Sequence, residues 1–146
     1  MKESAMTAKK KNPFKLRAFR GVSLAHIEKL EARGIRTAEQ LLTHGRTREQ
    51  RAALATAAGI PERCVLELVQ MSDLSRLPGV KGIRARLYFE AGLDSVQKIA
   101  DSEPEALRQH VAAYVERTGF DGIPPLPKEV SSTVANARQL PPAVAL

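Results

Sequence analysis

Few residues in this chain have the types and spacing for chemistry. His26, His44 and His110 stand far apart without i, i+4 partners, and the one cysteine, Cys64, completes no metal-ligand spacing. Cys64 falls on an apolar helical face with Val65, Leu68 and Val69, where a thiol serves as a small hydrophobe. Ser131-Ser132-Thr133 has no His or Asp beside it to activate a hydroxyl. Asp101, Glu103 and Glu105 cluster at a helix start, where the helix dipole accounts for them. One group stands out. Arg76, Lys81, Arg84 and Arg86 surround the turn Gly79-Val80-Lys81-Gly82, and the chemistry they offer is contact with an anionic backbone rather than a bond-making step. No enzyme is expected, and no cofactor or metal.

The charge of +7 is unevenly spread. Residues 1–20 carry seven Lys/Arg against one acid, and residues 101–146 carry four against six. The run Lys9-Lys10-Lys11 belongs to a polar stretch, residues 1–12, that reads as a disordered basic tail. Such a tail suits nucleic acid or another acidic surface. With 146 residues, the chain suffices for one domain with a real core, residues 13–146. Lacking Trp and holding six Phe or Tyr, it must build that core from Leu, Ala, Val and Ile. No stretch approaches the ~20 apolar residues of a membrane span. No apolar leader follows the basic start, and a lone cysteine makes no internal disulfide, so the expected home is the cytoplasm.

The elements that must position the cations follow from an internal repeat at an offset of 58 residues. Gly21-Val22 matches Gly79-Val80, Gly34-Ile35 matches Gly92-Leu93, Thr37 matches Ser95, and Leu41 matches Ile99. Gly34 and Gly92 sit where a helix needs a residue with positive φ after its end. Thr37 and Ser95 cap the next helix, with Gln40 completing a capping box. Thr47 with Gln50 opens a further helix to about Ala58, stopped by Gly59; Pro61 then fits the first turn of the next. Ser102 with Glu105 is expected to cap a helix to about Thr118, stopped by Gly119. A last helix from about Lys128 buries Val130, Val134 and Ala137, and Pro141-Pro142 end it. The expected fold is all-α, a compact bundle of about seven to nine short helices.

The segment from Leu77 to Leu93 resembles a helix-hairpin-helix motif: apolar-x-Gly-apolar-Gly, then a helix with Ala85 and Tyr88 three apart, then Ala91-Gly92-Leu93. Beyond it, Ala38-Glu39-Gln40-Leu41-Leu42, Arg51 to Ala55 before Gly59-Ile60, Met71 to Leu74, and Ala137 to Pro142 are similar to an uncharacterised bacterial family, a domain of unknown function with tandem helix-hairpin-helix units. The resemblance implies that the hairpin offers backbone N–H groups to a nucleic-acid phosphate, a contact that reads shape rather than sequence. The chain departs from the family in two ways. Ser23 and Lys81 stand where the hairpin has glycine, with Gly82 one residue late, and the last helix has no Trp.

Where the second copy has Lys81, Arg84 and Arg86, the first has Ser23, His26 and Glu28. The first hairpin therefore reads as structural. In the second, Gly79, Val80, Lys81, Gly82, Arg84 and Arg86, with Arg76 just before them, are the candidate phosphate contacts, and Lys9, Lys10 and Lys11 add loose affinity. The same cations also read as a solvated face. Tyr88-Phe89 reads as core and rim, not as a platform for stacking bases. The expected function is sequence-independent, non-enzymatic binding of duplex DNA or another nucleic acid. The alternative is a protein interaction or assembly module in which the hairpins are only scaffold.

Overall fold

Two local signals recur along the chain, a capped helix start and a glycine stop, and they set the helix boundaries. The structure, a computed structural model, describes residues 13–146. A 3-10 turn at Leu16–Ala18 precedes eight α-helices: α1 (Leu24–Glu31), α2 (Ala38–His44), α3 (Arg48–Ala58), α4 (Glu62–Leu74), α5 (Gly82–Glu90), α6 (Val96–Ala100), α7 (Pro104–Thr118) and α8 (Pro127–Ala137). Among the described residues there is no strand, only an isolated antiparallel bridge between Lys15 and Thr37. The fold is the compact all-α bundle that the sequence leads one to expect.

Thr37 and Thr47 form full capping boxes with Gln40 and Gln50, and Ser95 accepts from the Lys98 amide. One cap differs from expectation. The start of α7 is capped by Glu103, not Ser102: its carboxylate accepts from the Glu105 and Ala106 amides, with Pro104 at the first helical position. Two carboxylate oxygens satisfy two orphan donors at the positive end of the dipole, where a hydroxyl would take one. Ser102 donates instead to the Lys98 carbonyl. Pro61 sits just outside α4 as its cap residue, and α8 closes at Ala137, ahead of the prolines.

The offset of 58 residues is visible in the backbone. Gly34 and Gly92 have φ of 83° and 96°. The amides beyond them make the same bond back into the helix, Ile35 to the Leu30 carbonyl at 3.0 Å and Leu93 to the Tyr88 carbonyl at 2.8 Å. Leu41 and Ile99, equivalent positions of α2 and α6, are both fully buried. The correspondence runs further than the sequence pattern suggests. In the first half α2 and α3 both pack on α4; in the second half α6 and α7 both pack on α8. Contact between α4 and α5 joins the halves. The second half has a longer connection into its fourth helix, from Gly119 to Pro127, where the first needs only Gly59 to Glu62. The constant offset ends earlier, since the caps Thr47 and Glu103 already depart from it, and so do the stops Gly59 and Gly119.

The core is aliphatic, with Leu16, Ile27, Leu30, Val65, Leu74, Leu77, Leu87 and Ile99 fully buried and Tyr88 the one ring among its largest members. Burying such side chains contributes about 1.5–3 kcal/mol each. The C-terminal segment returns to the first half. The Ala145 amide donates to the Arg46 carbonyl at 2.9 Å. The buried Arg51 guanidinium donates to the carbonyls of Gly45, Arg46 and Ala145.

Candidate functional site

The start of α5 carries the residues singled out above, and each of their cations is engaged within the protein. Arg76 donates to Asp73 at 2.7 Å and to the Pro141 carbonyl. The Lys81 ammonium donates to the Ser75 carbonyl at 2.7 Å and lies 5.7 Å from the centroid of the Phe14 ring. Partial burial there holds its pKa below the usual lysine range. Arg84 grips Glu129 with Nε at 2.6 Å and Nη2 at 3.2 Å, and donates Nη1 to the Ile123 carbonyl at 2.6 Å.

Arg86 is buried, its side chain only 8% exposed. It donates Nε to the Arg20 carbonyl at 2.8 Å and lies 2.7 Å from Glu67 and 3.6 Å from Glu90. It neither faces solvent nor reaches outward; it ties the turn of the first half to α4 and α5. Gly21 makes the room, because a Cβ there would lie 2.7 Å from Arg86 Nε. In return, a Cβ on Gly82 would lie 2.6 Å from the Ala18 carbonyl oxygen, so the first half covers one side of the α5 start.

Lys81 caps α5 without a side-chain hydrogen bond, which leaves first-turn amides to solvent or a ligand. Val80 is buried, its amide spent on the Leu77 carbonyl, and Gly79 is exposed with φ of 81°. Beside this turn lie apolar residues: Ile83 is exposed, and Gly122 sits so that a Cβ on it would be 3.2 Å from Ile83 and 3.1 Å from Phe120. Ile123 and Leu126, in the same connection, are 75% and 68% exposed. Lys9, Lys10 and Lys11 lie outside the described residues.

A second group of cations gathers around Glu31 in the first half. The bridge between Lys15 and Thr37, with the Leu16 amide bonded to the Arg36 carbonyl at 2.9 Å, sets Lys15 beside Arg36. Arg17 forms a two-pronged pair with Glu31. Hydrogen bonding to Arg17, with the charges of Arg17, Arg36 and Lys15, holds the Glu31 carboxyl below its ordinary pKa. Arg33 follows two residues on in the sequence and is not among the charges that act on Glu31. Lys15, Arg33 and Arg36 are exposed, and none has a carboxylate partner among the described residues.

The two halves differ in charge at these places. Moving 58 residues along, Lys15 becomes Asp73, Arg33 becomes Ala91 and Arg36 becomes Asp94. Asp73 is nearly buried and accepts from the Val96 amide at 3.0 Å, where the equivalent Ala38 amide bonds to the Phe14 carbonyl at 2.8 Å. Residues 1–36 hold ten lysines and arginines against three acids, and residues 37–146 hold thirteen of each. The whole net charge thus belongs to the first 36 residues.

Cys64 is half-buried rather than sealed in the core and lines a cleft with His26 and Glu67. Glu67 there is already committed to Arg86. Tyr88 is fully buried and Phe89 partly so, as core and rim. Among the described residues no group of His, Cys, Asp or Glu could hold a metal ion, and no helix is long and apolar enough to cross a membrane.

No curated protein and no solved structure is found to match the chain. A family model does match, that of the domain of unknown function DUF4332, over residues 20–140, which take in all eight helices. The chain belongs to the DUF4332 family.

Proposed function

We propose that the protein binds nucleic-acid backbone without reading sequence, chiefly through the basic face of its first half, with no catalytic step. The observation that carries this reading is the set of exposed cations Lys15, Arg33 and Arg36, free of carboxylate partners among the described residues, in a chain whose whole net charge lies in residues 1–36. Exposed, uncommitted cations exchange salt counterions for phosphates at little cost. Cations already bonded within the fold must first give up those bonds. Arg76, Arg84 and Arg86 are of the second kind, and Lys81 has one donor on the Ser75 carbonyl, so the second hairpin enters this reading chiefly as scaffold, and Lys9, Lys10 and Lys11 add further positive charge.

The test is a titration with generic duplex DNA at two salt concentrations. Each phosphate contact contributes about 0.9 to the slope of log affinity against log salt. Replacing Lys15, Arg33 and Arg36 together by Gln is expected to flatten the slope by about two to three units. Arg84→Gln is expected to leave it unchanged. A slope that answers to Arg84 and ignores the triple variant would return the site to the second hairpin.

A protein-interaction role is favoured by one specific observation: Ile83, Phe120, Ile123 and Leu126 place apolar surface around the α5 start. Exposed apolar clusters of this sort mark partner contacts when they are large enough. Failure of the chain to bind any nucleic acid at low salt would bring this reading forward.

A further inference from the structure

The cleft that holds the Lys81 ammonium is not used by the function proposed above. It measures about 460 Å³ and opens between Pro13 and Phe14, the start of α2, the end of α4, and Lys81 itself. That volume is in the range of small-molecule sites. One wall is apolar, made by Phe14, Ala38 and Leu42; the other is polar, made by Ser72, Ser75, Arg76 and Lys81. Glu39 lies at the start of α2, exposed.

Two features of the polar wall lack an internal explanation. Lys81 has three N–H donors. One goes to the Ser75 carbonyl, and no carboxylate pairs with the ammonium among the described residues, although partial burial disfavours its charge. The Lys81 ammonium thus lines the cleft without a paired counter-ion among the described residues. Ser72 is the second feature. It is fully buried, and its Oγ has no hydrogen-bond partner, not even a carbonyl of its own helix. Buried hydroxyls ordinarily find a partner. Arg76, beside it, is already paired with Asp73, so among the described residues Lys81 is the lining cation without a paired carboxylate, and Glu39 is the one carboxylate that lines the cleft.

We infer that this cleft is a binding site for a small organic oxyanion, a carboxylate or phosphate joined to a flat apolar body, with the anion on Lys81 and Ser72 and the body against Phe14 and Leu42. The ammonium supplies the counter-charge and two unused donors, and the Ser72 hydroxyl supplies a third. Phe14, already beneath the ammonium, offers a ring face to a planar group. At the equivalent position the first half has Ser23, whose hydroxyl is spent on the His26 amide, so the site has no counterpart there.

The test is an amide-shift titration of the full chain with benzoate, phenyl phosphate and inorganic phosphate. Benzoate or phenyl phosphate is expected to give saturable shifts at Phe14, Ser72, Ser75 and Lys81, and inorganic phosphate to bind at least about tenfold more weakly for want of an apolar body. Whichever of the two aryl anions binds tighter identifies the head group. Lys81→Met, which keeps length and removes charge, is expected to weaken the preferred anion about tenfold or more. Ser72→Ala is expected to weaken it while leaving the protein as stable or more so, and it keeps the test decisive should the lysine variant fold poorly. Absence of saturable shifts up to about 10 mM of both aryl anions, or unchanged affinity in both variants, would overturn the site. Neither substitution is expected to alter the salt slope of DNA binding, so failure here is separable from failure of the function proposed above.

Discussion

The Arg86 guanidinium donates to the Arg20 carbonyl at 2.8 Å, across the boundary between the two halves of the chain. It lies on the side of Gly21 where a side chain would stand, and Glu67 at 2.7 Å balances its charge. Arginine at this position is therefore part of how one half recognises the other.

Gly21→Ala and Gly34→Ala separate strain from space. Both glycines have positive φ, which an alanine resists. At Gly34 nothing lies within 4 Å of the added carbon, and a cost of about 1 kcal/mol is expected. At Gly21 the added methyl also meets Arg86, and about 2 kcal/mol or more is expected. Denaturant midpoints for the two variants check the order, and equal costs would show that Arg86 moves aside freely.

Arg86→Met is expected to destabilise the protein by about 2–3 kcal/mol, because it leaves Glu67 without its ion-pair partner and the Arg20 carbonyl without its donor. The upper end of the range for buried pairs is not reached, since Glu67 keeps some contact with water. Arg84→Met, whose partner Glu129 is more exposed, is expected to cost less than Arg86→Met in the same urea titration.

Glu105 gives a signature in acid. Its hydrogen bond to Arg108, with a second from Gln109, lowers its pKa from 4.5 to about 2. A carboxyl depressed in the folded state contributes stability that is present above the unfolded pKa and is lost as pH falls through the folded one. The thermal midpoint of the native protein is thus expected to exceed that of Glu105→Gln by a constant margin above pH 5. That margin should close between about pH 4.5 and pH 2. A margin that persists at pH 2 would assign the effect to packing instead.

Much of the fold was legible because its signals are local. Thr37, Thr47 and Ser95 reach amides three residues ahead, and Gly34, Gly59, Gly92 and Gly119 mark stops by φ alone. Glu103 was missed because Ser102 and Glu105 fit the commoner capping pattern by spacing. The partners of the cations were not legible: Glu129 lies 45 residues from Arg84, and Arg20 lies 66 from Arg86. A charge beside a turn reads as solvated until folding brings its acceptor. The basic face was within reach. The offset that pairs Ser23 with Lys81 also pairs Lys15 with Asp73, and that reversal of sign needs no coordinates.

Arg48→Gln and Arg51→Gln should differ sharply despite standing three residues apart on α3. Arg48 is exposed, and its loss is expected to change stability by less than about 0.5 kcal/mol. Arg51 is buried against three carbonyls, and its loss is expected to cost about 2 kcal/mol or more. Removing residues 143–146 should reproduce part of the Arg51 effect, read as a lower midpoint in the same experiment.

The bond from Arg51 to Ala145 spans 94 residues and bears on the order of folding. Helices α1 to α4 can form with contacts close along the chain, which are quick to make. Arg51 cannot complete its set of acceptors from that half alone, since the third carbonyl is synthesised 94 residues later. The arrival of the C-terminal segment is therefore the step that supplies the last of the three Arg51 acceptors.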